Sequence, residues 1–411
     1  MKKSLFALAA VTAFAGAAQA QSSVTVYGII DMGIAGANNR NAQPTSITKS
    51  TGLGVTQSPQ STSRLGFRGT EDLGGGMAAF FTFETGLLPN SDAAGGLSTF
   101  NNRQAFVGLS QKGIGRFALG TQQTGIHSAV GRTTAGGQNN IVGDVIYTVN
   151  GNSPMSAFTQ TTSYGMTGGQ SYVVRVNNAI TFATENLSGF QGNLMFVASG
   201  NDTNQGGTAA APTGGQNTNS GYGVGLDYTL GKLLLTANYA SFTNTTTAAT
   251  AGVSPTTAPT FVKFSNSGQL STPGSNVVDN TMYVGGTYDF GILRAYAGYI
   301  NRKASAENNS LYFQRYTAQQ IGVRSNLTKT VNVFASVGTG AWENTGFDMA
   351  SANVNGYQLG TNYVLSKRTN LYAIFGNASQ SNAANSTINP ATARNTSYNV
   401  NNYAVGVRHT F

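Results

Sequence analysis

The sequence predicts an all-β fold: a 16-stranded antiparallel transmembrane β-barrel with short turns at one rim, long loops at the other, and the third long loop folded into the hollow. Three observations predict it. First, the chain repeats a phrase of about ten residues in which apolar and small polar residues alternate, the period of a strand with two unlike faces. Second, the connections between phrases alternate between short and long. Third, the composition suits neither a soluble nor a helical protein. Only 9 % of the 411 residues are charged, 53 are Gly and none is Cys, whereas soluble domains carry about 25 % charge.

The chain begins with a segment that reads as a signal peptide. Lys2 and Lys3 precede the uncharged run from Leu5 to Ala17, and Ala18-Gln19-Ala20 supplies small residues at a cleavage site. That run is too short to span a bilayer as a helix. Met1–Ala20 is therefore expected to be removed, leaving residues 21–411 as one barrel domain. An exported chain without cysteine has no disulfides to hold it, so a large core or a closed membrane sheet must do so. Net charge is +9, or +7 once Lys2 and Lys3 are gone. The positive residues are spread singly rather than clustered, which argues against nucleic acid as a partner.

Taken in order, the strands are expected near 23–36, 63–72, 77–88, 100–111, 115–122, 171–185, 190–199, 220–229, 232–243, 279–289, 292–303, 314–327, 330–341, 354–365, 369–380 and 398–411. The last is the clearest: Tyr403, Val405, Val407, His409 and Phe411 share one parity, and Ala404, Gly406, Arg408 and Thr410 the other. Short connections such as Leu73–Gly76, Lys112–Gly115, Leu230-Gly231 and Lys367-Arg368 alternate with long stretches near 37–62, 89–99, 123–170, 200–219, 244–278, 304–313, 342–353 and 381–397. An up-and-down barrel requires that alternation. Closure is compulsory in lipid, because an open edge leaves backbone groups unpaired. With 18 Tyr and 22 Phe, aromatic belts are expected at the two membrane interfaces, with Tyr403, Phe411 and Phe100 near strand ends.

Parity also sorts the charges. Leu65 and Phe67 share a face, so Arg64 and Arg68 share the other. Phe106 opposes Arg103, and Val176, Ile180 and Phe182 oppose Arg175. If Phe and Ile meet lipid, the four arginines point into the lumen, which avoids roughly 2–4 kcal/mol for an arginine facing lipid at the midplane. Asp31 and Glu84 fall on the wet face as well.

Several pieces of the chain resemble general porins of the Gram-negative outer membrane. These are Ser23-Val-Thr-Val-Tyr-Gly28, Ser63-Arg-Leu-Gly-Phe-Arg-Gly-Thr-Glu-Asp72, Asn102-Arg-Gln-Ala-Phe-Val-Gly-Leu109 and the terminal Phe411. The resemblance implies sixteen strands, a homotrimer in outer-membrane lipid, and a third loop narrowing the pore. It makes Arg64, Arg103 and Arg175 one wall of a constriction and Phe411 the signal read by the barrel-assembly machinery. The family's opposite wall is acidic and comes from the third loop; here that loop has only Asp144, and also carries Arg132. Asp144 is thus the candidate fourth constriction residue, with Arg68, Asp31, Glu84 and Arg132 as further pore-lining residues.

The expected function is passive diffusion of small hydrophilic solutes with a weak anion preference, without cofactor or metal. Two other channel and surface readings stay open. One is a solute-specific channel with Tyr147, Phe158 and Tyr164 as an aromatic track. The other is an adhesin or receptor using the long Asn/Thr/Gly loops. Catalysis is not expected: His127 and His409 lie far apart in the chain, and no nucleophile elbow or His-Glu-x-x-His pattern accompanies them.

Overall fold

A computed structural model of the chain describes residues 23–90, 103–147, 171–203, 207–208, 211–212, 215–248, 277–306, 310–311, 313–345, 351–382 and 397–411. It is a closed antiparallel barrel of sixteen crossings, as the alternating phrases predict. In chain order the first elements are β1 (Ser23–Gln43), β2 (Ser46–Gln57), β3 (Arg64–Gly74), β4 (Met77–Gly86), β5 (Gln104–Gln111) and β6 (Gly115–Gln123). Helix α1 (Gly125–Thr133), β7 (Arg175–Thr184) and β8 (Phe190–Thr203) follow. The two-residue pair β9 (Gly207–Thr208) and β10 (Ala211–Pro212) lies between β8 and β11 (Gly215–Leu230). The rest are β12 (Leu233–Ala248), β13 (Val277–Asp289), β14 (Arg294–Ala306), β15 (Phe313–Asn326), β16 (Val331–Thr345), β17 (Ala352–Val364), β18 (Thr369–Gln380) and β19 (Ser397–Thr410).

The barrel closes where β1 meets β19, with Ile29 opposite Thr410 and Ala42 opposite Ser397. Backbone bonds between Gly28 and Phe411, at 3.1 and 3.2 Å, extend that seam to the last residue. Every transmembrane strand thus has two neighbours, which satisfies the backbone where no water reaches it.

Two features depart from the expected elements. The stretch 37–62 is not simply a loop. β1 runs on to Gln43, turns, and returns as β2, which pairs with β1 from Met32 opposite Gln57 to Gln43 opposite Ser46. β3 then pairs with the lower half of β1, so β2 and β3 form one crossing interrupted by residues 58–63. Ser58 has φ of 62° there and turns the chain inward. The second departure is α1, inside a stretch expected to be irregular. Thr124 caps it by accepting from the His127 amide at 3.2 Å.

The outer face is apolar, as expected for lipid contact: Val107 and Leu109 on β5, Leu194 and Phe196 on β8, and Leu359 on β17 are each about half exposed. Exposed aromatics bracket this band. Phe190, Tyr288, Phe290, Tyr363 and Phe411 lie near the short-turn rim, with Tyr222, Tyr357 and Tyr403 higher up their strands. Phe100 lies outside the described residues.

The inner face is less uniformly wet than alternation suggests. Over β8 and β11–β19 the described part of the third loop is pressed onto the wall. Ile126, Ala129, Val130, Val145 and Ile146 form one buried cluster with inward Met195, Phe242, Tyr283, Ile300, Tyr316 and Trp342. Polar anchors continue along the wall. Gln358 Nε2 donates to the Ile141 and Val142 carbonyls at 2.6 and 3.1 Å. The Tyr316 hydroxyl donates to Val145 O at 2.8 Å. Asn140 Nδ2 reaches Ser58 O, in the break between β2 and β3, at 2.7 Å. Gly143, at φ of 110°, lies so close to the Tyr357 carbonyl that a side chain would collide with it. The loop is therefore a fixed lining on one side, and the less covered side belongs to the lower half of β1 and to β3–β7.

Candidate functional site

The less covered wall carries the arginines. Arg64 is the first residue of β3, delivered into the lumen by the strand break, and its Nε donates to the Thr62 carbonyl at 2.9 Å. Arg103 sits in the bend before β5 and donates from Nε to Glu84 Oε1 at 2.5 Å. Arg64 reaches the same carboxylate oxygen at 3.9 Å, and the Tyr27 hydroxyl donates to its other oxygen at 3.2 Å. Arg175 opens β7, and its buried Nε has no hydrogen-bond partner among the described residues. Among the described residues the Glu84 carboxylate therefore meets two guanidinium groups directly and has Arg175 as a further electrostatic neighbour.

Parity explains only part of this. Arg64 and Arg68 face inward as reasoned. In β5, however, Val107 and Leu109 are the outward residues, and Phe106 points into the lumen, where it meets Phe80 edge-on at 6.3 Å. Arg103 shares the parity of Val107; it turns inward because the bend at 103 breaks the strand. In β7 the register slips between Gly120 and Gln122 of its neighbour, and Asn178 has φ of 53°. That bulge puts both Val176 and Ala179 in the inner cluster, so Val176 is not a lipid-facing marker for Arg175.

Opposite the arginines stand His127 and Tyr147 of the third loop. Burial first, and then the charges of Arg175, Arg103 and Arg64, push the His127 imidazole down to about 3, so it stays neutral. Its Nδ1 lies 3.2 Å from the Tyr172 hydroxyl and from Gln138 Nε2. Tyr147 is raised by burial while the same three arginines pull it down. Arg64, Arg103 and Arg175 are thus shared electrostatic neighbours of His127 and Tyr147.

Asp144 does not form the acidic opposite wall. It is 2 % exposed and accepts from the Ile146 and Tyr147 amides at 2.9 and 2.8 Å, the turn-forming use of an aspartate. Burial raises its pKa above the carboxylate norm, against the pull of those amides and of Gln320. Asp31, expected to line the pore, is fully buried under the strand break. Its carboxylate accepts from the Gln60 and Ser61 amides at 2.8 and 2.6 Å and from the Tyr372 hydroxyl at 2.6 Å. It braces the segment that presents Arg64.

The remaining positions fall as follows. Arg68 lies on the lumen wall, its guanidinium 5.3 Å from the Tyr27 ring centre. Arg132 on α1 pairs with Asp227 on β11 at 2.7 Å and ties the helix to the wall. The Phe411 ring lies across Gly28 at the seam. Of the aromatic track, Tyr147 packs against the inner cluster, and Phe158 and Tyr164 lie outside the described residues. His409 is near the short-turn rim, 2.9 Å from Thr369, and shares no partner with His127.

The sequence reading missed α1, β2 and the lumen-facing pair Phe80–Phe106. Signals for the first two were present. Ile126, Ala129, Val130 and Thr133 follow helical spacing after a Thr cap, and Ile47, Leu53 and Val55 share one parity in 46–57.

A family model described as Gram-negative porin matches residues 7–383. An outer membrane porin protein of Bordetella pertussis is 29 % identical over 410 residues, covering 91 % of this chain and 93 % of that protein. Outer membrane porin protein 32 of Delftia acidovorans is 36 % identical over 197 residues, 48 % of this chain and 50 % of that one. Among solved structures, the fold superposes on an anion-selective porin from Comamonas acidovorans with a TM-score of 0.64 at 20 % identity, covering 95 % of this chain and 100 % of the other.

Proposed function

Because the chain belongs to the Gram-negative porin family, an outer-membrane family of β-barrel channels, we propose that small hydrophilic solutes diffuse through its lumen with a preference for anions. The observation that carries the preference is the grouping of Arg64 and Arg103 on the carboxylate of Glu84, with Arg175 an electrostatic neighbour of all three. An anion about 4 Å from one unbalanced guanidinium gains roughly 4 kcal/mol at an effective dielectric near 20. Several such charges in a narrow wet path raise the local anion concentration without trapping the ion at any one of them. The likeness in fold to a porin titled anion-selective agrees with this reading.

The same proposal includes a homotrimer, recognition of Phe411 by the assembly machinery and removal of Met1–Ala20. Family resemblance supports the first two. The basic and apolar pattern of the first twenty residues supports the third. The reversal potential of the purified protein in a planar bilayer under a KCl gradient tests the selectivity. A sign reporting chloride as the more permeant ion supports it; a sign reporting potassium contradicts it.

A further inference from the structure

Below the constriction the lumen wall holds a cavity of about 350 Å³ between α1 and strands β4–β8 and β11. Phe80 lies four residues from Glu84 toward the short-turn rim, about 13 Å along the strand. Three features set the cavity apart. Two inward phenylalanines line it, Phe106 partly exposed and Phe80 buried beside it, their rings at 77° between planes. The Arg116 guanidinium stands 4.5 Å over the Phe80 ring, and it has no acidic partner among the described residues. Across the cavity Asp227 is held by Arg132 and leaves its second oxygen, buried, without a hydrogen-bond partner.

The exposed part of the Phe106 ring is unfavourable in water unless something covers it, and Arg116, stacked on Phe80 without an acidic partner among the described residues, fixes the sign of what does so. We propose that this cavity is a weak binding subsite for small aromatic monocarboxylates, the solute ring against Phe106 and Phe80 and its carboxylate on Arg116. The solute ring gains edge or offset contact with two phenylalanines, and Arg116 gains the charge-assisted partner it lacks. Arg132, the other cation lining the cavity, is already paired with Asp227, which leaves Arg116 alone to balance a solute charge and suits one carboxylate. A sugar fits less well, because stacking a pyranose needs a flat exposed face and the edge-to-face pair offers none.

The inference rests on the diffusion-channel reading. Single-channel conductance is recorded in dilute KCl while sodium benzoate, sodium acetate or glucose is added to both sides. Benzoate lowers the chloride current saturably at millimolar concentration, whereas acetate and glucose at the same concentration do not. Phe106→Leu, Phe80→Leu and Arg116→Gln each raise the half-blocking benzoate concentration roughly three- to tenfold, each variant's own KCl conductance serving as the reference and as proof of folding. Equal block by acetate, block by glucose in place of benzoate, or unaltered block in all three variants overturns the subsite. A purified protein that conducts no KCl overturns the channel reading instead.

Discussion

Glu84 and Arg103 share the shortest charged contact at the constriction, Nε to Oε1 at 2.5 Å, and the Arg103 amide also donates to the Glu84 carbonyl at 3.3 Å. The pair holds Arg103 inward although its parity would turn it toward lipid. Because Arg64 leans on the same oxygen, Glu84 is both the brace and, among the described residues, the only acid paired with Arg64 and Arg103. Glu84→Gln keeps a hydrogen-bond acceptor and removes the charge. The chloride-to-potassium permeability ratio should rise roughly twofold or more, read from the reversal potential; an unchanged ratio would show that Glu84 is not felt by permeating ions.

Asp31 ties the six-residue strand break to Tyr372. Asp31→Asn loses the charge on these bonds, at a cost of about 2 kcal/mol. Since the break presents Arg64, the expected outcome is noisier single-channel current together with a lower thermal unfolding midpoint in detergent. A quiet channel of unaltered stability would contradict the bracing role.

His127 gives the constriction loop a pH dependence. Its folded pKa, about 3, is below its ordinary 6.5, so the folded loop takes up the proton less readily than the unfolded chain. The stabilisation from neutral His127 is complete above 6.5 and is lost as pH falls from there toward 3. Asp144, raised by burial, acts the other way: its contribution is full at low pH and fades as pH rises. Acid-induced closures should therefore appear below pH 6.5 and be reduced in His127→Gln. Equal acid sensitivity in that variant would remove His127 from the account.

Arg302 on β14 and Asp279 on β13 form a pair 0 % and 2 % exposed, with Nε 3.0 and 3.1 Å from the two carboxylate oxygens. Asp279→Asn removes the buried negative charge that faces Arg302, and breaking such a pair typically costs about 3–5 kcal/mol. Gel mobility after heating should show unfolding at a markedly lower temperature than in wild type. A shift no larger than that of an exposed-pair variant such as Glu343→Gln would mean that water reaches Arg302.

The barrel was legible in the sequence because its wall is repetitive: at Tyr403–Phe411 a period of two fixes both faces. What alternation hid was wherever the inner face stops being wet. Met195 and Val197 point inward between outward Leu194 and Phe196, so β8 is apolar on both sides under the loop. Arg103 was assigned to the lumen through Phe106, and Arg175 through Val176, Ile180 and Phe182; of these Ile180 is exposed, whereas Phe106 and Val176 face inward. Arg103 is turned by the bend before β5, and Arg175 opens β7 next to inward Val176, so a strict period places neither. Asp31 was read as a pore acid from its parity and Asp144 from the resemblance; Asp144 is instead consumed by the amides two and three residues on, and Asp31 by amides of the strand break that only the folded chain brings near.

The central claim is that Arg64, Arg103 and Arg175 set the sign of ion preference. Its most direct test is the reversal potential of the variant carrying Arg64→Gln, Arg103→Gln and Arg175→Gln together, under the salt gradient used for wild type. The chloride-to-potassium permeability ratio should fall by roughly threefold or more, toward or past unity, in a channel that still conducts. A conducting triple variant with the wild-type ratio would contradict the claim.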